Sequence, residues 1–207
     1  MSKFKLQLIL LFFPLVVSAQ TQAGMGVKAG AVFSRSDNSA YYPVQKITTG
    51  IAAAVPLEIM FGGHIGFQME FGYAQKKSRY ESEDGEYISK SNVHYAELPL
   101  LLKYVTGEKV KLCLGAGGFI ACGISGKSTL VAAGFDYQPM DFKINFGSFA
   151  NRLNGGLAAG AGIKIPAGSC FLTADARYQY GLFTFKSSGI DGPVNGLNLA
   201  AGILFPL

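Results

Sequence analysis

The feature that most constrains the fold is a strict alternation of large apolar residues with small or polar ones. It is clearest at residues 65–73, where five apolar side chains from Ile65 to Tyr73 fall on one face of an extended chain. A helix would mix the two sets of residues, whereas a β-strand separates them. The same alternation predicts seven further strands, at residues 25–33, 49–59, 93–105, 110–123, 153–165, 170–182 and 197–205.

The two faces of these strands differ in composition. One face is almost wholly apolar, and the other is rich in glycine and alanine. A water-soluble sandwich or lipocalin would turn its polar face to solvent, which gives no reason to favour small residues. The lumen of a narrow barrel does require them, and eight is an even number of strands, as bacterial outer-membrane barrels have. We therefore predict an all-β fold, an eight-stranded antiparallel up-and-down transmembrane β-barrel.

Charged residues recur on the face assigned to the lumen. An isolated buried ion is very costly, so charges in a narrow lumen must pair with one another. We expect a salt-bridged plug that holds the barrel shut; a path for protons or ions is the alternative. The predicted lumen charge network consists of Lys28, Glu58, Glu70, Glu97, Lys103, Lys111, Lys164, Asp175 and Arg177.

Short and long connections alternate between the predicted strands. Turns at 62–64, 106–109 and 166–169 are short, and the polar stretches 34–46, 76–92, 124–152 and 183–195 are long. Short periplasmic turns and long external loops are typical of outer-membrane barrels. The aromatic residues of 124–152 suggest strand extensions above the membrane or an adhesive tip. Lys76, Lys77 and Arg79 are expected in the second external loop, as ordinary solvated residues or close to lipopolysaccharide phosphates.

The first nineteen residues have the features of a signal peptide. Lys3 and Lys5 precede an apolar run at 6–17, and Val17-Ser18-Ala19 supplies the small residues that a signal peptidase reads. Twelve residues are too few to span a bilayer as a helix, which needs about 20. We expect residues 1–19 to be removed and residues 20–207 to form one barrel domain, inserted in the outer membrane after export.

Composition excludes several other classes of protein. The formal net charge is +5, but the basic residues are scattered and form no stripe for nucleic acid. The spacing of Cys113, Cys122 and Cys170 matches no zinc signature, and an odd number leaves at least one thiol free. We expect Cys113 to face the lumen and the other two to face outward. No cofactor, metal site or catalytic residue is predicted.

Several segments resemble one known family. Residues 95–104, Tyr-Ala-Glu-Leu-Pro-Leu-Leu-Leu-Lys-Tyr, are similar to a mid-chain strand of the PorT-like outer-membrane β-barrel proteins of Bacteroidetes, as are Gly-Val-Lys-Ala-Gly at 26–30, the glycine-rich 156–162 and Asp-Ala-Arg-Tyr at 175–178. The resemblance implies an OmpA/OmpX-like eight-stranded barrel in the outer membrane and no assigned activity. The chain departs from many barrels by ending Phe-Pro-Leu, so Phe205 is expected to act as the aromatic insertion signal.

Three functions remain open at this point. The first is a monomeric structural or interaction protein (adhesion or an envelope complex) that contacts outer-membrane lipid, lipopolysaccharide and a protein partner through its external loops. The second is a lipid-modifying acyl hydrolase or transferase centred on His94, with Ser89 and Ser91 near it in sequence. The third is a soluble periplasmic barrel that binds an apolar ligand. Pro56 and Pro99 fall inside predicted strands, where we expect bulges or local kinks.

Overall fold

The computed structural model describes residues 21–36, 44–82, 87–132, 140–143, 152–183 and 194–207. The expected signal peptide lies outside the described residues. No helix in the described part of the chain is long and apolar enough to cross a membrane. The ten strands are β1 (Thr21–Ser36), β2 (Val44–Lys46), β3 (Thr48–Phe61), β4 (Ile65–Glu81), β5 (Tyr87–Thr106), β6 (Lys111–Ala132), β7 (Met140–Lys143), β8 (Leu153–Ala167), β9 (Cys170–Phe183) and β10 (Val194–Pro206).

Eight of these strands close into a barrel. Strand β1 pairs with β3 on one side and with β10 on the other, and antiparallel pairing continues through β4, β5, β6, β8 and β9. The structure confirms the predicted fold, and each predicted strand overlaps one of these eight. Glycines with positive φ lie in all three predicted short turns: Gly62 and Gly63, Gly107, and Gly168.

The alternation divides the residues as the sequence predicts. Outward-facing apolar side chains are widely exposed, for example Val27 at 57% and Leu102 at 63% of their surface. This apolar band is the surface that meets lipid. Three tyrosines are exposed on it, Tyr104, Tyr178 and Tyr180, and aromatic residues commonly form girdles at the two interfaces of such barrels.

Curvature explains the glycines of the inner face. A Cβ built on Gly30 would lie 1.9 Å from the carbonyl oxygen of Leu199 on β10, and one on Gly156 would lie 1.9 Å from that of Tyr180 on β9. Both neighbours are backbone atoms, which cannot move aside without shifting a strand. Glycine is therefore required at these positions by the close approach of adjacent strands in a small barrel.

One side of the barrel rises above the rest. Strand β6 continues from Cys122, which pairs with the first residue of β8, to Ala132, while β4 reaches Glu81 and β5 begins at Tyr87. Strand β2 pairs with the end of β4, and β7 with the end of β6. We call this five-stranded extension, formed by β2, residues 75–81, 87–94 and 124–132, and β7, the raised wall. Most of the predicted loop 76–92 is therefore strand, and the extension suggested for 124–152 is present at 124–132 and 140–143.

The two prolines interrupt the ladder without producing a bulge. Pairing between β1 and β3 lapses beside Pro56, and pairing between β4 and β5 lapses beside Pro99, but each register resumes unchanged. A proline lacks the N–H that a ladder needs, which accounts for the gaps. Of the two features expected here, a bulge is absent at both prolines, and a local kink stays a prediction. The described register shifts lie at His94/Tyr95 and Gly155/Gly156.

Candidate functional site

The lumen holds three clusters of charged and amide side chains, stacked along the barrel axis. The lower cluster, nearest the periplasmic turns, is centred on Glu58 of β3. One carboxylate oxygen of Glu58 accepts a hydrogen bond from the Lys103 ammonium at 2.6 Å, and the other bonds to Lys164. Lys103 also donates to the Gln68 side-chain oxygen at 2.6 Å. Residues from β3, β4, β5 and β8 are thus joined across the lumen.

The central cluster is built around Glu70, whose side chain is fully buried. Its carboxylate lies 2.8 Å from the Lys28 ammonium and 2.8 Å from an Arg177 guanidinium nitrogen. Lys28 also contacts the Asp175 carboxylate at 3.1 Å. The Gln68 amide donates a hydrogen bond to Glu70, which connects the central cluster to the lower one.

The upper cluster pairs Lys76 of β4 with Glu97 of β5 at 2.6 Å. Gln179 bridges them, since its oxygen accepts from Lys76 at 3.0 Å and its nitrogen donates to Glu97 at 3.2 Å. The Lys76 ammonium also lies 5.5 Å from the ring centre of Tyr95 and 5.0 Å from that of Phe119. Both distances are within the range of a cation–π contact, which adds to the stabilisation of this buried ammonium.

Little free space remains between these side chains. The cavity lined by the lower and central clusters has a volume of about 60 Å³, and the one between the central and upper clusters about 20 Å³. Such volumes hold a few water molecules. A buried apolar group formed by Met60, Val105 and Cys113 lies toward the periplasmic end, and Tyr95 and Phe119 lie beside the upper cluster. The described lumen is therefore filled rather than open.

Eight of the nine residues assigned to the lumen network lie in these clusters. The exception is Lys111, whose ammonium lies 5.2 Å from the ring centre of Phe171 instead. The predicted network omitted Lys76, which was assigned to an external loop. It also omitted Gln68 and Gln179, which are uncharged. The available signal was spacing: Gln68 and Lys76 are separated from Glu70 by even numbers of residues, so all three face the same way along β4.

His94 lies on the outward face of the raised wall, paired with Gln75 of β4. Its Nδ1 is 2.5 Å from the Tyr73 hydroxyl, and the two rings stack with centres 5.9 Å apart. Ser91 is buried on the opposite, lumenal side of β5, where its hydroxyl donates to Ser128 at 3.3 Å. The structure therefore places Ser91 and His94 on opposite sides of β5. The enzyme hypothesis requires them to be in contact.

The three cysteines are free thiols. Cys113 is buried in the lumen, as predicted, and Cys122 and Cys170 are partly exposed. No group of three or more histidine, cysteine, aspartate or glutamate side chains in the described residues is arranged to hold a metal ion.

Comparisons with known proteins give the same fold. Similar solved structures include a major outer membrane protein from Thermus thermophilus (TM-score 0.54, 16% identity, covering 89% of this chain and 99% of that one). Others are OprG from Pseudomonas aeruginosa (0.49, 12%, 91% and 98%) and Ail, the attachment invasion locus protein of Yersinia pestis (0.44, 19%, 89% and 99%). At these identities the likeness concerns the fold alone. No curated protein matches the sequence.

The sequence also matches a family of outer-membrane domains over residues 18–187, which is most of the chain. This match agrees with the closed antiparallel barrel, its outward apolar band and its polar lumen. The chain therefore belongs to the outer membrane protein beta-barrel domain family and is an eight-stranded barrel of the Gram-negative outer membrane.

Proposed function

We propose that this barrel is a structural or interaction protein with a closed lumen, and that its external end is the working surface. The main observation in support of the proposal is the set of three ion-pair clusters in the lumen. They are stacked from the lower cluster, which contains Glu58, to the upper cluster, which contains Lys76. Removing one partner from a buried pair typically costs about 3–5 kcal/mol. A solute that crossed this lumen would have to separate several such pairs.

The raised wall supports an interaction role. It continues the barrel's hydrogen-bonded ladders beyond the membrane band, so it is a rigid platform rather than a set of separate loops. Its outermost strands, β2 and β7, each pair on one side in the described residues. An unpaired strand edge can take up an extended segment of another protein. Adhesion or attachment to an envelope complex, by a monomeric barrel, fits this architecture.

A non-enzymatic role is part of the proposal. The alternative, a lipid-modifying enzyme, needs a nucleophile beside His94, and the nearest described contact of its ring is the Tyr73 hydroxyl. Substituting His94→Ala in the native membrane tests this directly. An unchanged acyl pattern in lipid A is expected; a loss of acyl-chain modification would establish the enzyme and refute the non-enzymatic role.

The PorT-like grouping and the cleaved signal peptide also belong to this proposal. The motif at residues 95–104 forms the centre of β5, where Glu97 and Lys103 enter two of the lumen clusters and Pro99 interrupts the ladder. Residues that carry the resemblance thus have packing roles in the barrel. N-terminal sequencing of the mature protein should begin at residue 20; an intact N-terminus would refute cleavage.

Conductance in planar lipid bilayers tests the closed lumen. Purified protein is first shown to be folded, because a closed barrel migrates differently on a denaturing gel before and after boiling. The folded wild type should then give no discrete current steps above those of a protein-free bilayer. Stable, uniform steps from folded protein would refute the closed lumen.

A shortened raised wall tests the interaction role. Residues 79–90 can be replaced by Asn-Gly, a dipeptide suited to a tight hairpin between the paired residues Ser78 and Ser91. The shortened barrel should keep its heat-dependent migration, while cells that carry it lose attachment to a surface to which wild-type cells adhere. Unaltered attachment by such cells would refute adhesion through this wall.

A further inference from the structure

The charges of the three lumen clusters do not balance, and the excess lies at one end. In the upper cluster Lys76 pairs with Glu97, so this cluster has no net charge. The lower cluster holds Lys103 and Lys164 against the single carboxylate of Glu58. The central cluster is neutral, with two cations and two carboxylates: Lys28, Arg177, Glu70 and Asp175. One excess positive charge therefore remains in the cluster nearest the periplasmic turns.

This excess charge borders the larger of the two lumen cavities described above, which has a volume of about 60 Å³. Three glycines also line the cavity and have no side chains to fill it: Gly115, Gly160 and Gly162. Seven charged residues, four cationic and three anionic, line it as well: Lys28, Lys103, Lys164, Arg177, Glu58, Glu70 and Asp175. The described walls of the cavity thus have a net positive charge and leave room for a small group.

The strands on either side of Lys164 contribute a hydroxyl and a further cation at its level. The register places Lys111 of β6 and Thr173 of β9 directly opposite Lys164. Thr173 lines the same cavity, where its hydroxyl can donate a hydrogen bond. Lys111 contacts the Phe171 ring, and no ion pair is described for it. Like charges at directly opposed positions destabilise a sheet, so the Lys111 and Lys164 pair adds to the need for negative charge here.

The ammonium groups of the lower cluster keep unused hydrogen-bond donors. Each lysine ammonium has three N–H groups. In the described part of the chain, Lys103 uses two of them, one to Glu58 and one to Gln68, each at 2.6 Å. Lys164 uses one, to the other oxygen of Glu58. Lys164 is only 6% exposed, so bulk water does not satisfy its two remaining donors, and a buried donor without an acceptor is costly.

Charge and volume together define the group that fits this cavity. A monovalent anion would balance the one excess charge, whereas a divalent anion such as sulfate would reverse it. A water molecule needs roughly 10–15 Å³ of cavity volume, so the cavity has room for a single-atom ion with a few waters and none for a bulky organic anion. A halide ion accepts hydrogen bonds from several directions, which suits donors that come from β5, β8 and β9.

We propose that the cavity of the lower lumen binds one small monovalent anion of the halide class, held by the Lys164 and Lys103 ammonium groups and the Thr173 hydroxyl. The ion completes a cluster in which two cations share one carboxylate. This site is separate from the external interaction surface and goes beyond the proposed function. Since the site exists only in the folded barrel, the anion should stabilise the folded state.

Urea unfolding in phosphatidylcholine vesicles tests the site when sodium chloride is compared with sodium gluconate at equal ionic strength. Gluconate has the same charge as chloride but is too large for the cavity. At a chloride concentration about ten times the dissociation constant, the ratio of folded to unfolded wild-type protein should be about tenfold higher than in gluconate. An equal ratio in the two salts across the titration would refute the site. That result is expected if Lys164 instead balances the charge by losing its proton.

Lys164→Gln removes the excess charge and leaves Glu58 paired with Lys103. This variant should be equally stable in the two salts. Lys109→Gln is the matched control, because Lys109 is exposed in a periplasmic turn and its loss leaves the cavity intact; it should keep the wild-type preference for chloride. A full chloride preference in Lys164→Gln would refute the assignment. If Lys164→Gln does not fold, Thr173→Val decides, since an unchanged chloride preference in that variant would also refute the site.

Bromide locates the ion, because it scatters X-rays anomalously. Protein folded and crystallised in sodium bromide should show an anomalous peak in the lower cavity, within hydrogen-bond distance of Lys164 Nζ. Peaks confined to the outer surface of the barrel would indicate an adventitious ion only and would refute the site. Bilayer conductance of the same protein reports on the closed lumen independently, so failure of the anion site can be distinguished from failure of the proposed function.

Discussion

Replacing Glu70 by glutamine should destabilise the barrel more than any comparable change on its surface. Glu70 is fully buried and lies 2.8 Å from both Lys28 and Arg177. At an effective dielectric constant near 20, each contact contributes about 6 kcal/mol of attraction before desolvation is counted. Lys28 keeps its contact with Asp175, whereas Arg177 has no other ion pair among the described residues. We expect a net loss of about 3–5 kcal/mol in the free energy of unfolding.

Urea unfolding in lipid vesicles measures this loss. The chain contains no tryptophan, so far-UV circular dichroism and the gel-migration shift are suitable probes. Glu81→Gln is the matched control, because Glu81 also contacts two cations but lies on the raised wall outside the membrane band. No measurable change in the free energy of unfolding of the whole barrel is expected for this variant. Glu70→Gln/Arg177→Gln should recover part of the loss. A single variant as stable as the wild type would show that the ion pairs do not hold the lumen together.

Three further results are expected. Lys76→Gln should lower the free energy of unfolding by about 3–5 kcal/mol in the same assay, because it leaves the buried Glu97 carboxylate without its ion pair. An unchanged free energy of unfolding would indicate that Lys76 is a solvated loop residue. Gly156→Ala should cost about 1–3 kcal/mol, because the new methyl group would meet the Tyr180 backbone; stability equal to wild type would refute that contact. The hydrogen bond from Lys46 holds the pKa of Glu81 below its usual range, so this contact stabilises the β2–β4 pairing at neutral pH and is lost as pH falls through the lowered pKa. The Lys46 amide resonance should shift over that acidic range, and a signal constant with pH would contradict the pairing.

Alternation was sufficient to predict the barrel because the membrane requires it. Strands with one face in lipid and the other in a narrow lumen must separate large apolar residues from small and polar ones. The segment 65–73 shows this most clearly, and the eight predicted segments match the eight strands of the barrel. The identity of the lumen charges followed from the same parity, and eight of the nine belong to the ion-pair clusters.

The raised wall could not be recognised in this way. In this part of β4 the outward Lys77 and Arg79 alternate with Ser78 and Tyr80, which are buried although both carry a hydroxyl group. The segment therefore has no apolar periodicity. The stretch therefore has the composition of a loop, although β4 and β5 remain paired through it. Lys76, at the boundary, was grouped with its charged neighbours in sequence instead of with the lumen side chains whose orientation it shares.

The side of the strand on which a charge lies thus determines what it can do in this barrel. Lys76 and Lys77 are consecutive on β4, yet the side chain of one is only 2% exposed and paired with a carboxylate, while the other is on the outer face. The inner lysine is neutralised by the chain itself, because its ammonium pairs with the Glu97 carboxylate and a buried charge without a partner would be costly. The outer lysine can be neutralised by whatever lies beside the raised wall. The strand period places Lys77 on the same side of β4 as the exposed Phe71, so the Lys77 side chain leaves the barrel on its outer surface.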